Sequence, residues 1–242
     1  MLEISDIHVE ANSTKILNGV TLQIKPGEIH VLMGPNGSGK STLTSTLMGH
    51  PNYECTHGKI VLDTIDITEA EPHERSREGL FVAMQYPTEV PGVNLMNFLR
   101  LAYNARQPES KQLPVFKFKR LFKEKLDFLG MSEDFMNRNL NEGFSGGEKK
   151  KAEILQLAVL EPKYAILDET DSGLDVDALR IVFEGVQKTI SEYKKMGVLI
   201  ITHYERIFDY ISPDHVHIMK DGKIITSGGM ELVKHIHEKG YE

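Results

Sequence analysis

The chain has 242 residues, with 28 Lys and Arg against 35 Asp and Glu, so its formal net charge is −7. This length suits one large domain or a domain that carries a subdomain, and an apolar fraction of 40% excludes wholesale disorder. The acidic balance argues against nonspecific binding to nucleic acid, which requires a positive field over the docking surface. We therefore expect no nucleic-acid partner.

The compartment is indicated by three further features. Cys55 is the only cysteine, which excludes an internal disulfide and favours a reducing environment. The first residues, MLEISDIHVE, lack the basic and apolar regions of a secretory signal, and no stretch approaches about 18 consecutive apolar residues. We expect a cytoplasmic protein that does not itself insert into a membrane.

Strands are predicted along most of the chain. Apolar and polar residues alternate through the first 27 positions, which predicts antiparallel strands. Continuous apolar runs, which are typical of strands buried on both faces in a parallel sheet, occupy residues 29–33, 80–85, 164–168 and 197–202. The segment HVHIMKDGKIITSG predicts a hairpin that turns at Asp221 and Gly222.

Helical patterns separate these strands. After Asp175, an apolar stripe at helical spacing is formed by Leu179, Val182, Phe183 and Val186. Strands that alternate with helices predict an α/β fold with a mainly parallel sheet and an amino-terminal antiparallel β subdomain. We expect a core from residues 1–85 and 159–242, with residues 86–158 forming an inserted helical subdomain.

The first chemical motif is GPNGSGKS, which follows an apolar strand and precedes a helical stretch. This strand–loop–helix context predicts a P-loop, whose backbone N–H groups and helix N-terminus bind phosphate oxygens. Lys40 is expected to reach the β- and γ-phosphates, and the Ser41 hydroxyl to bind Mg²⁺. The predicted nucleotide-binding residues of the loop are Gly34, Pro35, Asn36, Gly37, Ser38, Gly39, Lys40, Ser41 and Thr42.

A pair of acids ends the apolar run YAILDE. Asp168, at the end of a buried strand, is expected to hold Mg²⁺ directly or through water. Glu169 would then lie near the γ-phosphate and polarise the attacking water. The simpler alternative is that both acids are solvated at the end of a strand. The P-loop on the same chain disfavours it, because a P-loop needs a metal-binding carboxylate on another strand.

A second possible anion site is GFSGGEKKK, in which Ser145, Gly146 and Gly147 open a helical stretch. A hydroxyl, two unhindered N–H groups and a helix N-terminus can together bind an anion. In isolation the segment is equally typical of a simple serine N-cap.

These three motifs, in this order, resemble the nucleotide-binding domains of ATP-binding cassette (ABC) ATPases. The resemblance extends to Gln85, to SGLD at 172–175, and to His203. It implies ATP and Mg²⁺ as ligands and a transient, ATP-dependent head-to-tail homodimer, in which the SGG segment of one copy faces the P-loop of the other. It also implies that Gln85 joins the Mg²⁺ and water shell, that His203 contacts the γ-phosphate, and that Asp175 links the two sites.

Three departures from the usual ABC pattern are visible. The segment HVEANST at 8–14 lacks the aromatic residue that often stacks on adenine, so the resemblance leaves the base selectivity open. Phe144 and Glu148 flank the signature in place of the commoner Leu and Gln. Thr170 and Asp171 follow Glu169 where Pro is frequent.

Several segments, some of which extend beyond the nucleotide motifs, are similar to the SufC family, the ATPase subunits of SUF iron–sulfur cluster assembly systems. They include QYPTEVPGV, NEGFSGGEKKK, LDETDSGLDVDAL and ITHYERIFDYISPDHVH. This resemblance implies partners like the scaffold proteins SufB and SufD, whose shape would change when two ATPase subunits dimerise.

Three other functions are alternatives to this one. The ATPase subunit of a membrane ABC transporter would have the same catalytic motifs and differ only in its partner. A DNA-repair ABC protein would carry a long coiled-coil or zinc insertion, and the sequence has neither. A noncatalytic ATP-binding scaffold is disfavoured because every catalytic position is filled.

The His-x-His pairs at 215/217 and 235/237 are interpreted as a strand face and as solvated helix residues, not as metal sites.

Overall fold

The structure, a computed structural model, describes residues 1–240, apart from the side chains of residues 235–239. The sequence interpretation of His235 and His237 as solvated residues falls on those side chains and so lies outside the described residues. Within the described part of the chain, no helix has the length and apolar character needed to cross a bilayer.

The strands and helices follow the order of an α/β chain. The strands are β1 (Leu2–Ala11), β2 (Thr14–Ile24), β3 (Ile29–Met33), β4 (Glu54–Leu62), β5 (Ile65–Asp66), β6 (Leu80–Ala83), β7 (Tyr164–Asp168), β8 (Gly197–Ile201), β9 (His215–Lys220) and β10 (Lys223–Gly228). The helices are α1 (Lys40–Met48), α2 (Pro72–Glu78), α3 (Leu95–Ala105), α4 (Val115–Leu129), α5 (Gly146–Leu160), α6 (Val176–Glu192) and α7 (Met230–Lys239).

Contacts divide the chain into two compact units. The first contains residues 1–84, 163–170 and the chain from 194 onward, and the second contains residues 85–162 and 171–193. Helix α6 therefore groups with the helical segment, because it packs on α5. The sequence expectation places α6 with the core instead. The expected boundaries, at residues 85/86 and 158/159, stay a prediction about the functional domains.

The first unit contains two sheets. Strands β2, β1, β4 and β5 form an antiparallel sheet in that order, and a six-stranded sheet has the order β10-β9-β3-β8-β7-β6. In the larger sheet all neighbours run parallel except β10, which pairs antiparallel with β9. The predicted mixed α/β fold with an antiparallel β subdomain is thus confirmed, although patterning gave no prediction for β4 and β5.

One apolar core joins the two sheets of this unit across α1. Buried residues alternate along β1 on either side of an irregularity between Ile4 and Ile7, as expected for a strand with one covered face, whereas β3, β7 and β8 are buried at every position. Leu43 and Leu47 of α1 belong to the same fully buried cluster as residues from both sheets. The core therefore fixes the strand ends that precede and face α1.

The second unit is helical. Its buried residues include Phe118 and Phe122 of α4, Leu155 of α5 and Phe183 of α6. The predicted stripe on α6 is confirmed, since its four apolar members are all at most 7% exposed. Close approach of α5 and α6 is permitted by Gly185, where an added Cβ would lie 3.1 Å from Ile154.

Candidate functional site

The loop between β3 and α1 has the geometry of a phosphate-binding loop. At Gly34 an added Cβ would stand 2.2 Å from the carbonyl oxygen of Met219, so only glycine fits there. Gly39, the residue before α1, has φ +107° and no side chain to cap the helix. The N–H groups of the first helical turn have no intrahelical partner, so they are available to an anion.

Lys40 lies inside this loop. Its side chain is 5% exposed, and its ammonium donates hydrogen bonds to the carbonyl oxygens of Gly34 at 2.8 Å and Pro35 at 3.0 Å. Burial lowers the pKa of Lys40, and the nearby carboxylates of Glu169 and Asp168 oppose that shift. A buried cation beside two carboxylates is suited to a ligand that carries both phosphate and a divalent metal.

Ser38 gives an independent test of that fit. Its hydroxyl oxygen is buried and has no hydrogen-bond partner among the described residues. A buried hydroxyl without a partner is costly unless a ligand or water satisfies it. The residues present therefore fit the phosphates and Mg²⁺ that the P-loop implies.

The two acids lie where β7 ends. Asp168 is the last residue of β7 and is 3% exposed, and the following Glu169 is 6% exposed. The Glu169 N–H donates to the carbonyl oxygen of Ile201 at 2.9 Å, and its φ is +45°, a conformation that ordinary residues rarely adopt. This backbone bond to β8 holds the carboxylate in place.

His203 follows β8 and faces Glu169. Its Nδ1 lies 3.4 Å from Oε1 of Glu169, although the two atoms do not form a hydrogen bond. The Thr202 hydroxyl accepts a hydrogen bond from the Tyr204 N–H at 2.9 Å, so a local turn spans the histidine. The ends of β3, β7 and β8 thus bring together Lys40, Asp168, Glu169 and His203, as expected where parallel strands end.

Sequence reasoning missed the role of Thr202 in that turn. Its signal was a threonine placed directly after a continuous apolar run, where a side chain can hydrogen-bond the backbone two residues on.

The remaining predicted residues belong to the second unit. Gln85 follows β6 as the first residue of that unit, and its carbonyl oxygen accepts a hydrogen bond from Lys150 at 3.2 Å. Asp175 caps α6, where its Oδ1 accepts from the Ala178 N–H at 2.7 Å. Both contacts, that of Gln85 with Lys150 and that of Asp175 with Ala178, lie within the second unit.

The signature segment is a well-formed helix start. The Ser145 hydroxyl accepts a hydrogen bond from the Glu148 N–H at 3.3 Å, and the Glu148 carboxylate accepts one from the Ser145 N–H at 2.8 Å. This reciprocal pair is a capping box. An added Cβ at Gly146 would meet no atom of the described residues within 4 Å, so packing among them does not require a glycine there.

Arg138 binds both residues that depart from the common signature. Its guanidinium forms an ion pair with Glu148 and lies 3.8 Å from the centre of the Phe144 ring. Hydrogen bonds from Arg138 and Ser145 lower the pKa of Glu148 to about 2. Sequence reasoning missed Arg138, because this residue lies outside every motif. The only available signal was the Ser-x-x-Glu spacing, which is typical of a capping box.

The comparisons with known proteins decide the family. The family described as ABC transporter matches residues 17–172. The chain belongs to the ABC transporter family. Vegetative protein 296 of Bacillus subtilis is 53% identical, with 100% of this chain and 92% of that protein covered. The probable ATP-dependent transporter ycf16 of Cyanophora paradoxa is 52% identical, with 100% and 93% covered.

Solved structures agree with this assignment. A nucleotide-free ATP-binding cassette from an ABC transporter has a TM-score of 0.79 and 26% identity, with 99% of this chain and 95% of that one covered. A dimeric post-hydrolysis cassette with bound ADP and Pi has a TM-score of 0.80 at 20% identity, with 95% and 99% covered, and supports the fold alone. The protein is an ABC-type ATPase that binds ATP with Mg²⁺ and serves as an energy-coupling subunit.

Proposed function

We propose that this ABC ATPase is the SufC-like energy-coupling subunit of a cytoplasmic iron–sulfur cluster assembly complex. The observation that carries the proposal is the similarity of segments outside the nucleotide motifs, above all YPTEVPGV after Gln85 and the Thr170-Asp171 pair after Glu169. Transporter ATPases share the nucleotide chemistry but have no chemical need for these segments.

Glu169 is the proposed general base. Its buried carboxylate accepts a proton from the water whose oxygen attacks the γ-phosphorus of ATP, while ADP leaves. His203 is proposed to donate a hydrogen bond to the γ-phosphate through Nε2.

The phosphates and the metal are held by separate groups. The loop from Gly34 to Thr42 binds the phosphates, with Lys40 turning from its own loop carbonyls to the β- and γ-phosphate oxygens. Mg²⁺, when bound, neutralises phosphate charge. Its proposed ligands, directly or through water, are Ser41, Gln85 and Asp168.

The signature residues are proposed to act on a second copy of the chain. Ser145, Gly146 and Gly147 present a hydroxyl and N–H groups to the nucleotide on the P-loop of that copy, and Asp175 links the two sites. ATP would thereby join the copies, and hydrolysis would release them. Scaffold proteins like SufB and SufD, bound to the two copies, would change shape with each cycle.

The test is an anaerobic affinity purification from the native host, with copurifying proteins identified by mass spectrometry. We expect SufB-like and SufD-like proteins together with iron and acid-labile sulfide. The Glu169→Gln variant, held in the ATP-bound state, should retain these partners. A Lys40→Ala preparation is the matched control for partners that require ATP.

The second candidate function is the ATPase subunit of a membrane transporter. It is favoured by the names of several relatives, such as a probable ABC transporter ATP-binding protein of Streptococcus pyogenes that is 51% identical over 241 residues. Copurification of an integral membrane protein in place of the scaffold pair would overturn the assembly proposal. The ATPase assignment would then remain.

A further inference from the structure

Histidines and a carboxylate meet at the end of β3 that lies away from the P-loop. Glu28 precedes β3, His30 lies within it, and His215 pairs with His30 across the parallel β3–β9 register. The five residues of β3 span about 13 Å, so this cluster is remote from the nucleotide. It takes no part in the ATPase site described above.

The separations of the possible ligand atoms suit one metal ion. Oε2 of Glu28 lies 3.1 Å from Nε2 of His30, and Oε1 lies 4.0 Å from Nε2 of His215. One ligand atom from each of the three residues lies within 4.8 Å of the other two. Tetrahedral bonds of about 2.1 Å place ligand atoms about 3.4 Å apart, so small side-chain rotations complete the geometry.

The second ring nitrogen of His30, Nδ1, is linked to two further side chains. Its Nδ1 lies 2.9 Å from Nε2 of His217, and Nδ1 of His217 lies 2.7 Å from the Ser227 hydroxyl. A metal-binding histidine usually has such a partner on its second nitrogen, which fixes the ring and its tautomer. His30 and His217 are 2% and 6% exposed, so both rings are held by packing.

This chain of hydrogen bonds has two complete proton arrangements. In the first, Ser227 donates to His217, His217 to His30, and Nε2–H of His30 to Glu28. In the second the two bonds among Ser227, His217 and His30 are reversed, and Nε2 of His30 faces the Glu28 carboxylate with a lone pair. Two acceptors at 3.1 Å repel, so the second arrangement requires a cation between them. A metal ion would thus occupy the place of the Nε2 proton of His30, that ring would carry its proton on Nδ1 instead, and both histidines stay neutral with no net loss of a proton.

The open side of the cluster faces solvent. The side chains of His215 and Glu28 are 47% and 23% exposed, which allows entry and leaves room for a water ligand. Two groups engage the carboxylate: the Lys25 N–H donates to Oε2 at 3.0 Å, and the exposed Lys25 ammonium lies 3.3 Å from Oε1. The flexible ammonium must move aside when a metal binds, whereas the N–H keeps Glu28 oriented. Asp214, which accepts from the Ile29 N–H at 2.8 Å, adds further negative charge.

Contrary to the sequence interpretation of residues 215/217 as a strand face without a metal, we propose that Glu28, His30 and His215 bind one divalent transition-metal ion of the Zn²⁺ class, with His217 and Ser227 orienting His30. Two imidazoles and one carboxylate are an established ligand set for Zn²⁺. Because the ligands lie on β3 and β9, the ion would cross-link neighbouring strands of the large sheet. The site is independent of the iron–sulfur proposal.

The test uses the full chain without a polyhistidine tag, freed of metal by chelation. Zn²⁺ affinity is measured by competition with a chromophoric chelator, and Co²⁺ absorption reports tetrahedral coordination. We expect one saturable site that is weakened at least about 100-fold by His215→Ala and about 10-fold by Ser227→Ala. Zn²⁺ should raise the unfolding temperature of the wild type but not of His215→Ala.

The matched control is His57→Ala. His57 is an exposed histidine whose Nε2 lies 3.3 Å from an Asp6 carboxylate oxygen, so it resembles His215 in exposure and charge. This variant should bind Zn²⁺ like the wild type. Absence of a saturable site, unchanged affinity in His215→Ala, or a loss that follows His57 instead would each overturn the proposal. His215→Ala should bind ATP normally, which shows that it is folded.

Discussion

Two glycine-rich segments begin helices in this protein, and they satisfy the helix N-terminus in opposite ways. At α1 the preceding Gly39 has no side-chain cap, and the first turn contains no acid. At α5 two N–H groups of the helix start, those of Ser145 and Glu148, are satisfied by the Glu148 carboxylate and the Ser145 hydroxyl, with Glu148 in turn held by Arg138. The P-loop therefore presents an open anion site, whereas the signature helix starts from a self-capped state.

The glycines of the two segments differ in whether the surrounding fold leaves room for a side chain. Gly34 in the P-loop is required by the fold, because a neighbouring carbonyl occupies the space of a Cβ. Gly146 in the signature segment has no neighbour among the described residues within that reach, so its small size serves something other than packing among them. A close ligand is the simplest reason for glycine at such a position.

The largest expected effect tests whether ATP is hydrolysed at the P-loop site, beside which Glu169 lies. Glu169→Gln removes the proposed proton acceptor, so turnover should fall by about 10²–10⁴, while ATP binding should change less than about twofold. Steady-state phosphate release and equilibrium nucleotide binding measure the two quantities. Glu184→Gln, at an exposed position on α6, should leave both unchanged. Loss of binding with retained turnover would contradict the assignment.

The paired variants Gly34→Ala and Gly146→Ala test the comparison of the glycines directly. Gly34→Ala should lower the free energy of unfolding by about 3 kcal/mol, because its Cβ collides with the Met219 carbonyl. Gly146→Ala should change it by less than about 1 kcal/mol, in the stabilising direction, because alanine favours helix. Urea unfolding curves measure both. Equal losses from the two variants would show that the signature glycine is also required by the fold.

The smallest effect concerns the self-capped state of α5. The folded pKa of Glu148, about 2, lies below its ordinary value of 4.5, so its contribution is present above pH 4.5 and is lost as the pH falls toward 2. Glu148→Gln should lower the free energy of unfolding by less than about 1 kcal/mol at pH 7, since the pair with Arg138 is partly exposed.

Unfolding at pH 7 and at pH 3 measures this dependence. The difference between wild type and Glu148→Gln should shrink at the lower pH, and a difference that grows there would contradict the assigned cause.

Much of the nucleotide site was readable from the sequence because its signals are local. A continuous apolar run predicts a buried strand wherever it lies, and the P-loop and the Asp-Glu pair directly follow such runs. Since the ends of parallel strands meet at one edge of a sheet, Lys40, Asp168 and Glu169 could be expected to lie close together. His203 was placed only through the resemblance to ABC ATPases.

Other features depend on contacts between distant parts of the chain. Within the lysine run at 149–151, Lys150 is 4% exposed and pairs with Glu153 at 3.1 Å. Helical periodicity does not say which lysine a neighbouring helix will cover. Strand β4 likewise lacks a strong local pattern and is recruited by its pairing with β1.

The sequence by itself determined the fold class, the chain order of the strands in the large sheet and the nucleotide chemistry, because each depends on residues that are neighbours in the chain. Only the tertiary structure showed that Arg138 binds Phe144 and Glu148, and that Glu28 and His30 meet His215 and His217. The histidines of β3 and β9 are separated by about 185 residues, and parallel pairing alone brings them together. A site built across such a pair leaves no spacing that a linear motif can record.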